Sequence, residues 1–337
     1  KALKNAFSPF GISLEIWDRH FLVGEFRTLR LFIFNDEHVP RTGTVRYGVV
    51  RFDDGWTFDT SMKVSVDRGE SVVNFIQIML PRRAGEYRIR AELLEGGGNT
   101  VVAYTEKIAH VFEPIGSVHS EQSNIAVCEG SGEINRFLSS HGFPVLEFSE
   151  ASLGKAKVLI VVEGTLTSDV YQKHMETLSN FVNSGGTLVV IEPEFGVNDK
   201  GAVSPLQGLA LTIERRVDMD KGGYDSYVFA EDLAHPLWSG IEKKHLQMFN
   251  GDFGGEVVSQ HDVTCSREHQ VHARCGLKLG VEAVYEIPFG KGRVIVSRLQ
   301  LRGRLMRGNT PDTLYARRPD PVLQRYLLNL VGYASKR

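Results

Sequence analysis

Apolar side chains fall on every second position in a series of short runs through the first third of the chain: residues 11–17, 28–34, 44–51, 72–80, 85–93 and 101–111. Leu29, Leu31 and Ile33 alternate with Arg30 and Phe32; Tyr87, Ile89 and Ala91 alternate with Arg88 and Arg90. A period of two buries one face of a strand and leaves the other wet. Asp53-Asp54-Gly55, Asp67-Arg68-Gly69 and Gly96-Gly97-Gly98 supply turns between the runs. Six or seven such strands within about a hundred residues predict an immunoglobulin-like β-sandwich, here over residues 1–115. No cysteine pair pins it, so the likeness is architectural.

The pattern changes after Glu113-Pro114-Ile115-Gly116-Ser117, which reads as a domain junction. Residues 124–128 form an apolar run, Gly130-Ser131-Gly132 opens a helix over 133–140, and 145–148 make a short strand. Residues 156–162 are almost continuously apolar, as in a strand covered on both faces. Ser168 and Asp169 cap a helix expected to run to Asn183, with Tyr171, Met175, Leu178 and Val182 at helical spacing. Gly185-Gly186 ends it, and 187–191 is the next buried strand. Strand, helix, strand in this order predicts a flavodoxin-like, doubly wound α/β domain over residues 116–337. Within its Gly-rich stretch 196–285, strands are expected near 209–217, 256–259 and, just beyond, 281–287. A further strand at 293–297 and a helix at 320–334 close the domain.

At 337 residues the chain is long enough for two domains. Hydrophobic residues at 42% and charged residues at 24% describe a globular protein with sizeable cores. Net charge is −2, which argues against wholesale nucleic-acid binding. No apolar run approaches the length of a membrane span. The chain opens on Lys1 without a charged-then-apolar leader, so a trimmed or excised piece is expected. Cys265 and Cys275 could bridge a short loop in an exported protein; with Cys128, free thiols are the plainer reading. No Cys-x-x-Cys occurs, and His269 and His272 read as a solvated loop, so neither metal nor cofactor is expected.

Several segments carry a resemblance. Residues 5–14, Trp17-Asp18-Arg19, Gly24-Glu25, Phe34-Asn35-Asp36 and Gly85-Glu86-Tyr87 resemble the sandwich after the catalytic barrel in glycoside hydrolases of family 2 and their relatives. Residues 236–240, 289–297, 298–301 and 320–330 look like the glutamine-amidotransferase-like, or β-galactosidase trimerisation-like, domain of multidomain sugar hydrolases. The resemblance implies an accessory region serving packing, oligomerisation or glycan contact, beside an upstream catalytic domain or a neighbouring subunit, or alternatively a stand-alone carbohydrate-binding or scaffold protein of the same ancestry. It also favours an exported location. What it does not supply is chemistry: the chain is too short to add an eight-stranded barrel. After 187–191 it reads Glu192-Pro193-Glu194, where an amidotransferase places its cysteine nucleophile.

Three strands of the α/β half end in glutamate: Glu129, Glu163 and Glu192, with Glu194 two residues on. Parallel strands bring their carboxyl ends to one edge, where open α/β sheets bind ligands. These carboxylates could line a crevice for a polyhydroxy ligand or do acid–base work; alternatively they face water or pair with arginines. Clustering would raise at least one pKa. Gly130-Ser131-Gly132 could hold an anion on helix N–H groups, although a tight turn suffices. Arg302, Arg304 and Arg307 lie in a basic loop that could contact an anion or be simply solvated. Among the tryptophans, Trp56, beside the Asp53-Asp54-Gly55 turn, is the candidate sugar platform, while Trp17 and Trp238 read as core.

Overall fold

The computed structural model describes residues 8–95, 98–116, 124–162, 164–194, 200–216, 227–251, 256–259, 261–306 and 317–336. The protein is β-rich and divides into two compact units, Lys1–Pro114 and Ile115–Arg337.

The first unit contains β1 (Phe10–Glu15), β2 (His20–Leu22), β3 (Phe26–Asn35), β4 (Arg41–Val50), β5 (Trp56–Val66), β6 (Glu70–Met79), β7 (Gly85–Glu95) and β8 (Val101–Phe112). They form a three-stranded sheet, β1-β3-β6, and a five-stranded sheet, β2-β8-β7-β4-β5. All pairs are antiparallel except β2 with β8. The alternating residues account for the packing. Ile12, Leu14, Leu29, Leu31, Ile33, Ile76 and Ile78 from one sheet share a single apolar core with Val45, Val49, Ile89, Ala91 and Val111 from the other. Asn35, fully buried, pins two loops: its amide donates to the carbonyls of Val39, Val66 and Asp67. Trp56 begins a strand rather than sitting in a turn, because β5 starts directly after Gly55.

The second unit runs β9 (Ile125–Cys128), α1 (Glu133–Ser140), β10 (Val145–Glu147), α2 (Glu150–Leu153), β11 (Val158–Val162), α3 (Asp169–Gln172), α4 (Met175–Asn183) and β12 (Thr187–Ile191). It continues through β13 (Lys200–Leu206), β14 (Leu209–Arg215), β15 (Phe229–Ala230), β16 (His261–Thr264), β17 (Gln270–Cys275), β18 (Val281–Phe289), β19 (Gly292–Ser297) and α5 (Pro321–Ala334). One sheet has the order β10-β9-β11-β12-β19-β18-β17-β15. Its first five strands are parallel, and β18, β17 and β15 extend it antiparallel. Every residue of β9, β11 and β12 is buried, as a sheet covered on both faces requires.

A separate sheet, β13-β14-β16, and α4 pack on one face through Leu178, Val182, Leu206, Leu211, Ile213 and Val263. From α5, Tyr326 donates its hydroxyl to Ser297 Oγ of β19 and stacks on Trp238. The expected helix over 168–183 is divided at Lys173 and His174, where ψ flattens to −15° and 11°. The strand expected at 256–259 is a lone bridge between Val258 and Leu299.

Candidate functional site

The parallel strands β9, β11 and β12 deliver their carboxyl ends to one edge, but the glutamates there do different things. Glu129 turns to α1, accepting from Ile134 N (3.0 Å) and Asn135 N (2.7 Å). The first N–H groups of a helix have no internal partner. Gly132, at the N-cap with φ 67°, brings no side chain to satisfy them, so Glu129 does. Glu163 lies outside the described residues. Glu192 follows β12 in left-handed backbone, φ 50°, a conformation that costs a residue bearing a Cβ. Its Oε1 accepts from Arg302 N at 2.8 Å.

Glu192 and Glu194 are drawn together in the interior, 8% and 5% exposed. Burial pushes the Glu192 carboxyl up to about 7; the Arg302 N–H works against this, and the charge of Glu194 adds to it. Glu194 is raised as well, again by burial, with Arg298 and Ser259 opposing. Neither Glu194 oxygen makes a well-formed hydrogen bond. Arg298, fully buried, donates to Glu282 O (2.9 Å) and Ser259 O (3.2 Å). A carboxyl that keeps its proton near neutrality can donate one, so the pair has the chemistry of a weak acid.

Glu133 was not among the expected residues, yet it organises the same edge. Its carboxylate accepts from Gly303 N (2.7 Å), Leu305 N (3.0 Å) and Met306 N (3.2 Å). With Glu192 it sews the 302–306 loop to the sheet. Its place in the first helical turn after Gly132 was visible in the sequence; its partners, about 170 residues away, were not.

The arginines of the basic loop differ in their surroundings. Arg304 has no exposed surface: Nε donates to Asn250 O (2.7 Å) and Nη1 to Gln300 O (2.9 Å). A guanidinium committed to internal carbonyls is a clamp and is closed to a solvent anion. Arg302 is exposed, and its backbone N–H serves Glu192. Arg307 lies outside the described residues. Cys128, Cys265 and Cys275 form no disulfide. Burial raises the Cys128 thiol to about 11, which leaves it protonated and unreactive. Among the described residues, no group of His, Cys, Asp and Glu has the arrangement of a metal site.

On the first unit, the outward face of the five-stranded sheet carries a different arrangement. Arg46 lies over the half-buried Trp56 ring (4.4 Å) and donates Nε to Asp59 (2.7 Å). Arg88 lies over Phe52 and Arg90 over Tyr104. Asp54 bonds both Arg88 (2.6 Å) and Arg90 (2.9 Å), and Arg90 with Arg88 beside it holds the Asp54 carboxyl below its usual range. Guanidinium and carboxylate groups thus lie against aromatic rings on this face of the sheet.

In the second unit, a groove of about 790 Å³ separates the 236–238 turn from α5, lined by Trp238, Glu242, Asn329, Tyr333 and Lys336. Among the described residues, Glu129, Glu192 and Glu194 do not line it.

No family model matches the chain, and no curated protein does. Solved structures similar to parts of it include the CARDB domain of a Pyrococcus furiosus protein in complex with di-metal ions (18% identity, 32% of this chain, 91% of that one, TM-score 0.25). The C-terminal domain of wzt aligns at 10% identity over 31% of this chain and 72% of that one, TM-score 0.25. A beta-glucosidase from Listeria innocua in complex with glucose aligns at 12% identity over 31% of this chain and 16% of that one, TM-score 0.24.

Proposed function

We propose that the chain is a non-catalytic accessory region of a glycoside hydrolase-type protein. On this reading an immunoglobulin-like sandwich contacts a glycan, and a flavodoxin-like, amidotransferase-like domain serves packing or oligomerisation beside an upstream catalytic domain. The observation that supports it best is the outward face around Trp56. Sugar rings stack their C–H faces on aromatic rings; on Trp56 a sugar takes the place of the Arg46 guanidinium that covers the ring, and Arg46 and Asp59 beside it suit vicinal hydroxyls. The parallel order β10-β9-β11-β12-β19 supports the flavodoxin-like reading of the second unit, and Glu192 in strained backbone after β12 is consistent with an active-site turn that has lost its nucleophile.

The test is affinity electrophoresis of the chain against a panel of soluble neutral and acidic polysaccharides. Binding to at least one is expected, weakened about tenfold or more by Trp56→Ala and largely retained by Trp56→Phe. No retardation by any polysaccharide would remove the glycan-contact reading.

A second reading, an autonomous hydrolase using the strand-end carboxylates Glu129, Glu163 and Glu192, is favoured by the burial of Glu192 and Glu194 at the end of β12, which raises the Glu192 carboxyl. It requires turnover of aryl-glycosides by the purified chain, abolished by Glu192→Gln.

A further inference from the structure

The three-stranded sheet has an edge unlike the others in the first unit. Among the described residues, β6 has β3 on one side and no strand on the other. Unpaired N–H and C=O groups along an edge recruit another strand, and proteins normally blunt them with short strands, charges, proline or bulges. The other edges of the two sheets follow that rule. β1 has six residues and β2 three, while β5 carries Asp59 and Lys63 on its exposed positions.

β6 has none of these devices. It runs ten residues, pairs with β3 throughout without a register shift, and between Ser71 and Met79 has neither charge nor proline. Its outward face, which also carries Ser71 and Gln77, exposes large apolar side chains: Phe75 is 73% exposed, Val73 45%, and Phe26 on the neighbouring strand 71%.

The flanks identify the occupant. Before the uncharged stretch stand Asp67 and Glu70, which outweigh Arg68; after it come Arg82 and Arg83; all five are exposed. A second copy laid antiparallel brings the acidic end of each strand alongside the basic end of the other. A parallel copy would set like charges side by side.

We infer that β6 is a self-pairing edge, joining two copies of this chain through an antiparallel β6–β6 ladder across a two-fold axis. Such an interface is isologous: each copy offers the same surface. Ten residues of strand extend about 34 Å. With Val73 and Phe75 along it, the ladder covers at most on the order of 1,000 Å² in total, the lower bound of specific interfaces, so the dimer is weak and reversible. The inference is independent of glycan binding, because Trp56 and its arginines lie on the other sheet.

Sedimentation equilibrium of the whole chain tests it, with circular dichroism confirming that each variant is folded. A monomer–dimer equilibrium is expected, between 37.6 kDa and twice that mass. Phe75→Lys, at a position too exposed to be needed for folding, should weaken dimerisation about tenfold or more, since both copies lose an apolar cross-strand contact. Glu70→Lys should weaken it, and combining Glu70→Lys with Arg82→Glu and Arg83→Glu should restore it. A chain that stays monomeric at the highest concentration reached would overturn the inference. So would a dimer indifferent to Phe75→Lys, or one that the combined charge reversal fails to restore.

Discussion

Replacing Glu192 by glutamine isolates the electrostatic cost of the strand-end site. The carboxyl is buried, and burial dominates its displacement from 4.5 to about 7; the Arg302 N–H pulls it back, and Glu194 pushes it further. In the unfolded chain the same group loses its proton near pH 4.5. Between those values the folded protein holds more protons than the unfolded one, so stability falls as the pH rises and levels off above about 7. A displacement of this size amounts to about 3 kcal/mol lost by pH 8, and nothing below pH 4. Glutamine keeps the shape and an oxygen to accept the Arg302 N–H, but has no charge to bury. Glu192→Gln should therefore be more stable than the parent at pH 8, by up to ~3 kcal/mol, and by only about 1 kcal/mol at pH 5. Because the chain has two units, the probe must be local: hydrogen exchange of residues 187–191 and 293–297 across a urea series at both pH values. A variant no more stable than the parent at pH 8 would mean that Glu192 is ionised at little cost, and the reasoning about the pair would fail.

Two other substitutions probe packing and thiol chemistry. A Cβ on Gly292 would lie 2.2 Å from Gly186 O and 2.3 Å from Val182 O, both backbone atoms that cannot rotate away. Gly292→Ala should cost ~2–4 kcal/mol, read as a lowered urea midpoint of the second unit. Cys128 and Cys275 are buried and Cys265 is partly exposed, so one thiol should react quickly with a disulfide reagent at pH 8. Cys265→Ser should remove that fast phase; a fast phase that persists would show that burial does not protect the other two.

Period two was legible wherever one sheet face is buried, as in β3 and β7. It failed for β5, where the polar or charged Asp59, Thr60, Ser61 and Lys63 interrupt the alternation and a bulge opposite Val49 and Val50 shifts the register. β13 was missed for another reason: Gly201 and Pro205 are loop signals, and the strand tolerates Pro205 where its register with β14 shifts. The strand-end glutamates could be found because buried strands stop abruptly at a charge. Their division of labour could not. Whether a carboxylate caps a helix, braces a loop or is trapped beside another depends on the backbone of Gly132 and Glu192 and on partners far along the chain. Arg304 illustrates the same limit, since a run of arginines looks identical whether its guanidiniums face water or internal carbonyls.

The bond from Glu129 to the start of α1 has a consequence for what this edge can accommodate. Parallel sheets that bind phosphate at a helix start leave the amides after the strand vacant for a nucleotide or sugar phosphate. Here a tethered carboxylate already sits on two of those amides, 2.7 and 3.0 Å away, as a built-in surrogate for the phosphoryl group. Any incoming phosphoester would have to evict a competitor held permanently next to its berth and then tolerate that anion nearby, so dinucleotides and phosphorylated sugars are poor tenants for this corner of the sheet.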